Sequence, residues 1–557
     1  MSRQPISGDV LHNQSSGSKR ALFKSMGYTD YDLDRPIIGI ANAWSSTNPG
    51  HFNLNTIAEM VRRGISQGGG TPVEFGVIAP CDGMCSGTEG MKYNLPAREI
   101  IADSIENMAR LNHFDGLVLL GSCDKIVPAM MMAAARLDIP TILVNGGPMM
   151  GGVQFDGRSS DITSIGEALG MLQKGKITEE EFKDMENGVA LTCGSCSFMG
   201  TANTMSCLAE AIGLSLPGSA MIPAVYGKRF QVAEESGRRI VGMVEEGLNA
   251  RKIINKNSIE NAMRFGLSIG GSTNMALHMP AIAYEADVPY TLEDMGKLAK
   301  ETPLLARIYP QVPENVFDFY KAGGVMAVMK HLVPVMHTDA MTCTGKTWGE
   351  ILEKEAPIEN DLIHSIPNAW SPLNSLGVLH GNLAPKGAIT KPSAIDPSMW
   401  HFSGKAQCYN SEEEALAALE AGKITEGTVV VVRYEGPRGG PGMREMVKIL
   451  KRLYGYGLNK STAVVTDGRF SGTNNGCFAG HISPEASAGG PLGLVQDGDV
   501  ITIDVQQGLL QLEVSDEELK KRSDAFVPLK KEVPAGYLRI YSRSVESADT
   551  GAIIPNR

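Results

Sequence analysis

In the first part of the chain, short apolar runs alternate with stretches whose apolar residues recur every three or four positions. PIIGIA (36–41), VEFGVIA (73–79), GLVLL (116–120) and PTILV (140–144) predict strands, and segments near 54–67, 96–112 and 126–137 predict helices between them. Strand–helix alternation of this kind implies a parallel sheet covered by helices. Each predicted strand runs into a cluster of small or polar residues: NAWSSTNPG, PCDG, GSCDK and NGGP. In a parallel sheet those clusters line up along the carboxyl edge, where α/β proteins bind ligands. A long helical stretch is predicted from about 200 to 355. Beyond about 365 the pattern changes. VVVVRY (429–434), AVVT (463–466), VITIDV (500–505) and LLQLEV (509–514) predict strands separated by Gly, Pro and Asp turns, with Gln506-Gln507-Gly508 as a hairpin connection. The expected fold is therefore α/β: an N-terminal α/β domain over 1–365 with a parallel sheet and helices, then a β-rich domain over 366–557.

A chain of 557 residues is too long for one core, which agrees with two domains. With 51 basic and 62 acidic residues the formal charge is −11, and no basic block occurs, so neither nucleic acid nor an anionic membrane is expected as partner. No apolar run reaches the length of a membrane span, since PAMMMAAA (128–135) is followed by Arg136 and Asp138. The opening MSRQPISGDVLHNQ has no apolar core of a secretory signal. A cytoplasmic enzyme is expected.

Nine cysteines are too few for a disulfide scaffold, and an odd count points to free thiols. Cys85, Cys207, Cys343 and Cys408 are expected as small buried apolar residues. Cys81 and Cys123 differ, because each is followed by a carboxylate, Asp82 and Asp124, at a predicted strand end. Cys193 and Cys196 form a CxxC. Thiols and carboxylates on one sheet edge suggest two neighbouring metal sites of different hardness, since thiolates suit zinc or iron–sulfur and carboxylates suit magnesium or manganese. No second close Cys/His pair supports zinc, and the CxxC lacks the setting of a redox motif. Iron–sulfur ranks first.

Two Gly-rich stretches follow predicted strands, YEGPRGGPGMRE (434–445) and TDGRFSG (466–472). Either can turn its N–H groups toward an anion, although a plain turn is the simpler reading. Thr344-Gly-Lys-Thr347 resembles the end of a P-loop, but Ala340 stands where that loop needs glycine. His51 and His481 lie in loop-like stretches that can line a site, whereas His278, in an apolar helix, is expected as a satisfied core residue.

These motifs together resemble the dihydroxy-acid dehydratase and sugar-acid dehydratase family, closest to its dihydroxy-acid branch. The resemblance rests on CDG (81–83), LPAREIIADSIE (95–106), GSCDK (121–125), CGSC with TANTMSCLAEAIGLSLPG (193–218), GGSTN (270–274), LHGNLAPKGAITK (379–391), RYEGPRGGPGMREM (433–446), TDGRFSG and GHISPEA (480–486). It implies a barrel-like C-terminal domain, a homodimer or dimer of dimers, and conversion of a 2,3-dihydroxy carboxylate to a 2-keto acid with loss of water. It further implies Cys123 and Cys196 as iron–sulfur ligands, and Asp82, Asp124, Glu445 and a carbamylated Lys125 as Mg2+ ligands. Ser471 is implied as the catalytic base. Many members with a [2Fe–2S] cluster carry a third cysteine where this chain has Gly50. The third ligand is then Cys193, Cys81 or none, and the PGH and TCGSC stretches resemble the [4Fe–4S] branch. The leading substrate is a 2,3-dihydroxy-3-methyl acid of valine and isoleucine biosynthesis, with an aldonate as rival. A non-catalytic iron–sulfur protein is the reading from a different class, and retention of the full residue set argues against it.

Overall fold

The computed structural model describes residues 6–371, 375–446, 448–470 and 476–555, with the side chains of Ile6 and Asp9 left aside. The N-terminal sheet has four parallel strands, Ile37–Asn42, Thr71–Gly76, Gly116–Leu120 and Thr141–Val144, in the spatial order second, first, third, fourth. Each lies within a residue or three of its predicted position. Ile37–Asn42 and Gly116–Leu120 are buried along their whole length, which is why both are written as nearly unbroken apolar runs.

The chain leaves the first strand in one direction and, after the second, crosses back over it to the third. Right-handed crossovers then place helix Leu54–Gly68 on one face and helices Asn94–Asn112 and Ile126–Leu137 on the other. Helix Gly227–Glu246 packs beside Leu54–Gly68. Ile126–Leu137 lies between the sheet and helices Thr201–Ala211 and Met275–Glu285, and every residue from Ile126 to Ala135 is buried. A helix covered on all sides has no polar face to keep, hence the AMMMAAA run.

The C-terminal part is a mixed eight-stranded sheet. Its order runs from Cys477–Ala479 through Ala463–Thr466, Thr428–Val432, His401–Tyr409, Val500–Asp504, Leu509–Leu512 and Gly377–Gly381 to Ala384–Thr390. A bridge between Ile389 and Gly480 brings the two edges together, and Thr390 Oγ1 donates to the Phe478 carbonyl at 2.7 Å, so the sheet closes into a barrel. Val500–Asp504 and Leu509–Leu512 form the expected antiparallel hairpin.

The expectation of strands joined only by turns fails in the middle of this sheet. His401–Tyr409, Thr428–Val432 and Ala463–Thr466 are parallel neighbours joined by helices Glu412–Glu420 and Lys448–Gly455. Ser411 caps the first helix by accepting the Glu414 N–H, and three glutamates occupy its first turn. Parallel pairing needs such crossovers. Val429 and Val431 face the barrel interior while Val430 and Val432 pack under the two helices.

The end of the chain returns to the N-terminal layers. Tyr541, Val545, Ala548 and Ala552 pack with Leu95, Leu277 and Met443, and Arg98 donates to the carbonyls of Gly551 and Ala552, both at 2.8 Å. Barrel loops are thereby held against the carboxyl edge of the parallel sheet. Among the described residues no helix is long and apolar enough to cross a membrane.

Candidate functional site

The strand order reverses between Ile37–Asn42 and Gly116–Leu120, and at such a switch point the loops leaving the two strands part and open a crevice. His51, just beyond the first strand, bridges it. Its Nδ1 lies 2.6 Å from the Ala43 carbonyl, while its Nε2 accepts the N–H groups of Ser122 and Cys123 at 3.0 and 3.1 Å. Two amide donors on Nε2 put the ring proton on Nδ1, and burial holds the imidazole pKa down to about 4, so the ring is neutral. Histidine 51 therefore fixes the backbone of GSCDK.

Asp82 opens a short helix after the second strand, Asp124 follows the third, and Glu445 comes from the barrel side. One oxygen from each lies within 4.8 Å of the others. Glu445 reaches the site because Glu445–Met446 pairs in parallel with Arg469–Phe470 in a small two-stranded ladder. Burial, followed by the carboxylates of Asp124 and Asp82, holds the Glu445 carboxyl above its ordinary range against the pull of Arg469. Lys125, fully buried, places Nζ 3.0 Å from Asp82 Oδ2 and bonds Asp124. Among the described residues, Asp82 Oδ1 is buried without a hydrogen-bond partner. Crowded, mutually repelling oxygen donors with an unsatisfied lone pair fit a hard divalent cation.

His278 departs from the expectation of a satisfied core residue. Its Nδ1 faces the Arg98 guanidinium at 3.3 Å, which can only donate, so the proton belongs on Nε2. Among the described residues that nitrogen has no hydrogen-bond partner, and it lies 3.7 Å from Asp124 Oδ1. Arg469 is the other residue the sequence left unmarked. It is fully buried, anchored by Nε to the Met443 carbonyl at 2.7 Å, with Nη2 3.5 Å from Asp82 and Nη1 3.6 Å from Glu445. An arginine inside a Gly-rich turn reads as a surface residue, and only its place in TDGRFSG marks it.

The thiols gather beside the carboxylates. Cys123 is buried and donates from Sγ to Asn48 Oδ1 at 3.2 Å. Its pKa is driven far up by burial and then by the neighbouring Cys81 and Cys196, and Cys196 is raised by burial and then by Cys81. Cys81, Cys123 and Cys196 are thus electrostatic neighbours. Among the described residues their sulfurs do not form a set lying wholly within 4.8 Å, so they do not form a single-ion shell. Cys193 is raised by burial, and no other thiol figures among the causes of its shift. Gly50 sits directly over Cys123, since a Cβ at position 50 would lie 2.6 Å from its Sγ. Soft donors spread beyond a single-ion shell fit an iron–sulfur group better than zinc. Of the thiols expected as buried, Cys207 and Cys343 are so, while Cys85, ending the short helix Asp82–Cys85, and Cys408, within the strand His401–Tyr409, are partly exposed. Cys477 is buried in the barrel core.

The Gly-rich stretches bind the protein's own carboxylates. Arg438 and Gly439 donate their N–H groups to Glu485 at 2.9 and 2.8 Å, and Tyr434, Glu435 and Ala486 donate theirs to Asp467 at 3.1, 2.9 and 2.9 Å. The plain-turn reading prevails for 434–440: the N–H groups of Tyr434, Glu435, Arg438, Gly439 and Gly440 are satisfied internally. Ser471 lies outside the described residues.

These features define an α/β enzyme with a buried centre of mixed carboxylate and thiol donors. The chain matches the dihydroxy-acid/6-phosphogluconate dehydratase N-terminal domain over residues 35–351 and the corresponding C-terminal domain over 361–552. It belongs to this family and is a hydro-lyase. It is 48% identical over 537 residues to a dihydroxy-acid dehydratase of Pyrococcus furiosus, covering 96% of this chain and 97% of the relative. A dihydroxy-acid dehydratase of Caldanaerobacter subterraneus is also 48% identical, with 96% of each protein covered. Dihydroxy-acid dehydratase 1 of Methanosarcina acetivorans is 47% identical over 549 residues, covering 98% and 99%.

Proposed function

We propose that this protein removes water from a 2,3-dihydroxy-3-methyl carboxylate to give the 2-keto acid, in valine and isoleucine biosynthesis. The observation that carries the reading is the convergence of Asp82, Asp124 and Glu445 beside Cys123, Cys196 and Cys81 at one sheet edge. Near full-length similarity to proteins named dihydroxy-acid dehydratase supports the substrate class.

Asp82, Asp124, Glu445 and Lys125, the last as its carbamate, would hold Mg2+, and Cys123, Cys196 and Cys81 an iron–sulfur cluster, [4Fe–4S] rather than [2Fe–2S]. Bound there, the cation would supply charge to the carboxylate and enolate-like oxygens, and the cluster a Lewis acid for the C3 hydroxyl. The protein's own part is positioning. His51 fixes the Cys123 backbone, His278 directs an N–H toward Asp124, and the buried setting excludes water. Ser471 is the proposed base for the C2 proton, two residues beyond Arg469. The division of the chain after residue 365 and assembly as a homodimer or dimer of dimers belong to the same proposal.

The test is turnover by anaerobically purified protein of a 2,3-dihydroxy-3-methyl acid against aldonates. Dehydration of the methyl-bearing acid alone supports the reading, and exclusive use of an aldonate replaces it.

A further inference from the structure

Arg469 stands beside the carboxylate triad with two long ion pairs, to Asp82 and Glu445. It is fully buried, its Nε is tied to the Met443 carbonyl, and among the described residues Nη1 and Nη2 meet only the long ion-pair contacts to Glu445 and Asp82. The nearest acceptors, on Asp82 and Glu445, stand at 3.5 and 3.6 Å, beyond good hydrogen-bond length. Leaving such donors unmade inside a protein costs about 1–3 kcal/mol per group. Other unpartnered buried groups belong to the same neighbourhood. His481, whose ring nitrogens both lack partners, feels the charge of Arg469, while Asp82 Oδ1 and His278 Nε2 are likewise unpartnered. Polar atoms left without partners in one buried neighbourhood suit a polar guest.

Charge and geometry limit that guest. Three carboxylates meet the cations Lys125 and Arg469 here, and Lys125 already bonds Asp82 and Asp124. Arg469 is held by Asp82 and Glu445 only at ion-pair distance, so its Nη donors keep room for shorter contacts. A guanidinium has only donors, set in a planar fork that matches the two oxygens of a carboxylate. Nη2 lies 3.5 Å from Asp82 and Nη1 3.6 Å from Glu445, so the fork borders the carboxylate triad.

We propose that Arg469 is the substrate's carboxylate receptor, donating from Nη1 and Nη2 to the carboxylate of the acid while the carboxylate triad holds the cation. The inference rests on the dehydratase reading above and deepens it. The hydroxyl-bearing carbons then lie between the fork and the thiols, with the orientation set by two parallel hydrogen bonds. Lysine cannot replace arginine here, because it keeps the charge and loses the fork.

The test uses reconstituted holoenzyme of the parent and of the Arg469→Lys and Arg469→Gln variants. Affinity for the 2-keto acid product and for its uncharged carboxamide is measured by calorimetry, with Mn2+ affinity and iron content measured alongside. Loss of two charge-assisted hydrogen bonds predicts a fall of about 10- to 100-fold in affinity for the acid in both variants. The carboxamide should bind all three proteins alike, and Mn2+ affinity and iron content should stay at the parent level. Unchanged affinity for the acid in either variant overturns the proposal. So does loss of Mn2+ or iron in both, which would make Arg469 a structural partner of the triad. A parent that neither dehydrates a dihydroxy acid nor binds a keto acid overturns the dehydratase reading and this inference together. A working parent with unimpaired variants overturns this inference alone.

Discussion

The Nε2 atom of His51 lies 3.1 Å from the backbone nitrogen of Cys123 and accepts its N–H, across the point where the strand order reverses. The same nitrogen takes the Ser122 N–H. Truncation in His51→Ala leaves both donors buried and unpaired, a cost of about 1–3 kcal/mol each. The expected outcome is a lower melting temperature of the metal-free protein together with reduced iron after reconstitution. His51→Gln, which offers an acceptor oxygen, should recover part of both. Full iron content in His51→Ala would show that the histidine stabilises the fold without ordering the thiol loop.

The thiols separate by their neighbours. Cys81 raises the pKa of both Cys123 and Cys196, whereas Cys193 is raised by burial with no thiol among its causes. Cys81→Ser is therefore expected to lower iron and sulfide per chain and to change the electron paramagnetic resonance spectrum of the reduced protein. Cys193→Ser should leave both as in the parent. The reverse pattern would assign the third ligand to Cys193.

Much of this centre was legible before any coordinates. Unbroken apolar runs marked the parallel strands, and the polar clusters after them had to share an edge, which placed Asp82, Cys123 and Asp124 together. Periodicity could not show that the barrel contains parallel strands with helical crossovers, because Val429–Val432 reads the same whichever way its neighbours run. Nor could it reveal His278 and Arg469. A histidine on an apolar helix and an arginine in a glycine turn have ordinary local patterns, and only the packing of barrel loops on the sheet edge makes them part of the site. The Gly-rich stretch 434–440 is the plain turn expected of it, since its N–H groups meet Glu485 and Asp467 instead of a ligand.

Asp124 contributes to the carboxylate triad and its neighbour Cys123 to the thiol group. Asp124→Asn removes one hard anionic donor and no soft one. Mn2+ affinity should fall by at least about 10-fold, as even outer partners of metal ligands cost that much. Iron and sulfide content should be retained. Loss of the iron together with the Mn2+ would mean that the two donor sets depend on each other for folding.

Glu210 gives a pH signature away from the centre. It is fully buried, accepts the N–H groups of Gly218 and Ala220 at 2.7 Å each, and burial pushes its pKa from 4.5 up to about 7. Between those values the folded protein binds a proton that the unfolded chain has lost. Its contribution is full below pH 4.5 and declines as pH rises to about 7, by about 3 kcal/mol in all. Glu210→Gln does not titrate. Denaturant titrations at pH 5 and pH 8 should show the stability difference between parent and variant shifting against the parent by an amount of that order. A constant difference would mean that the carboxyl titrates normally.

Helices Leu54–Gly68 and Gly227–Glu246 touch backbone to backbone through Gly64 and Gly237. A Cβ on Gly64 would lie 2.0 Å from the Glu234 carbonyl oxygen, and one on Gly237 would lie 2.3 Å from that of Val61. Neither oxygen belongs to a flexible side chain, so alanine at either position must push the helices apart. Overpacking of this kind costs about 1–3 kcal/mol, partly offset by the roughly 1 kcal/mol that alanine gains over glycine within a helix. Gly64→Ala and Gly237→Ala should each lower the melting temperature without changing iron content, because the crossing lies on the face of the sheet away from its carboxyl edge. Once one methyl has separated the helices, the second meets less resistance. The double variant should therefore be destabilised by less than the sum of the two single ones, and strict additivity would show that each glycine is accommodated locally.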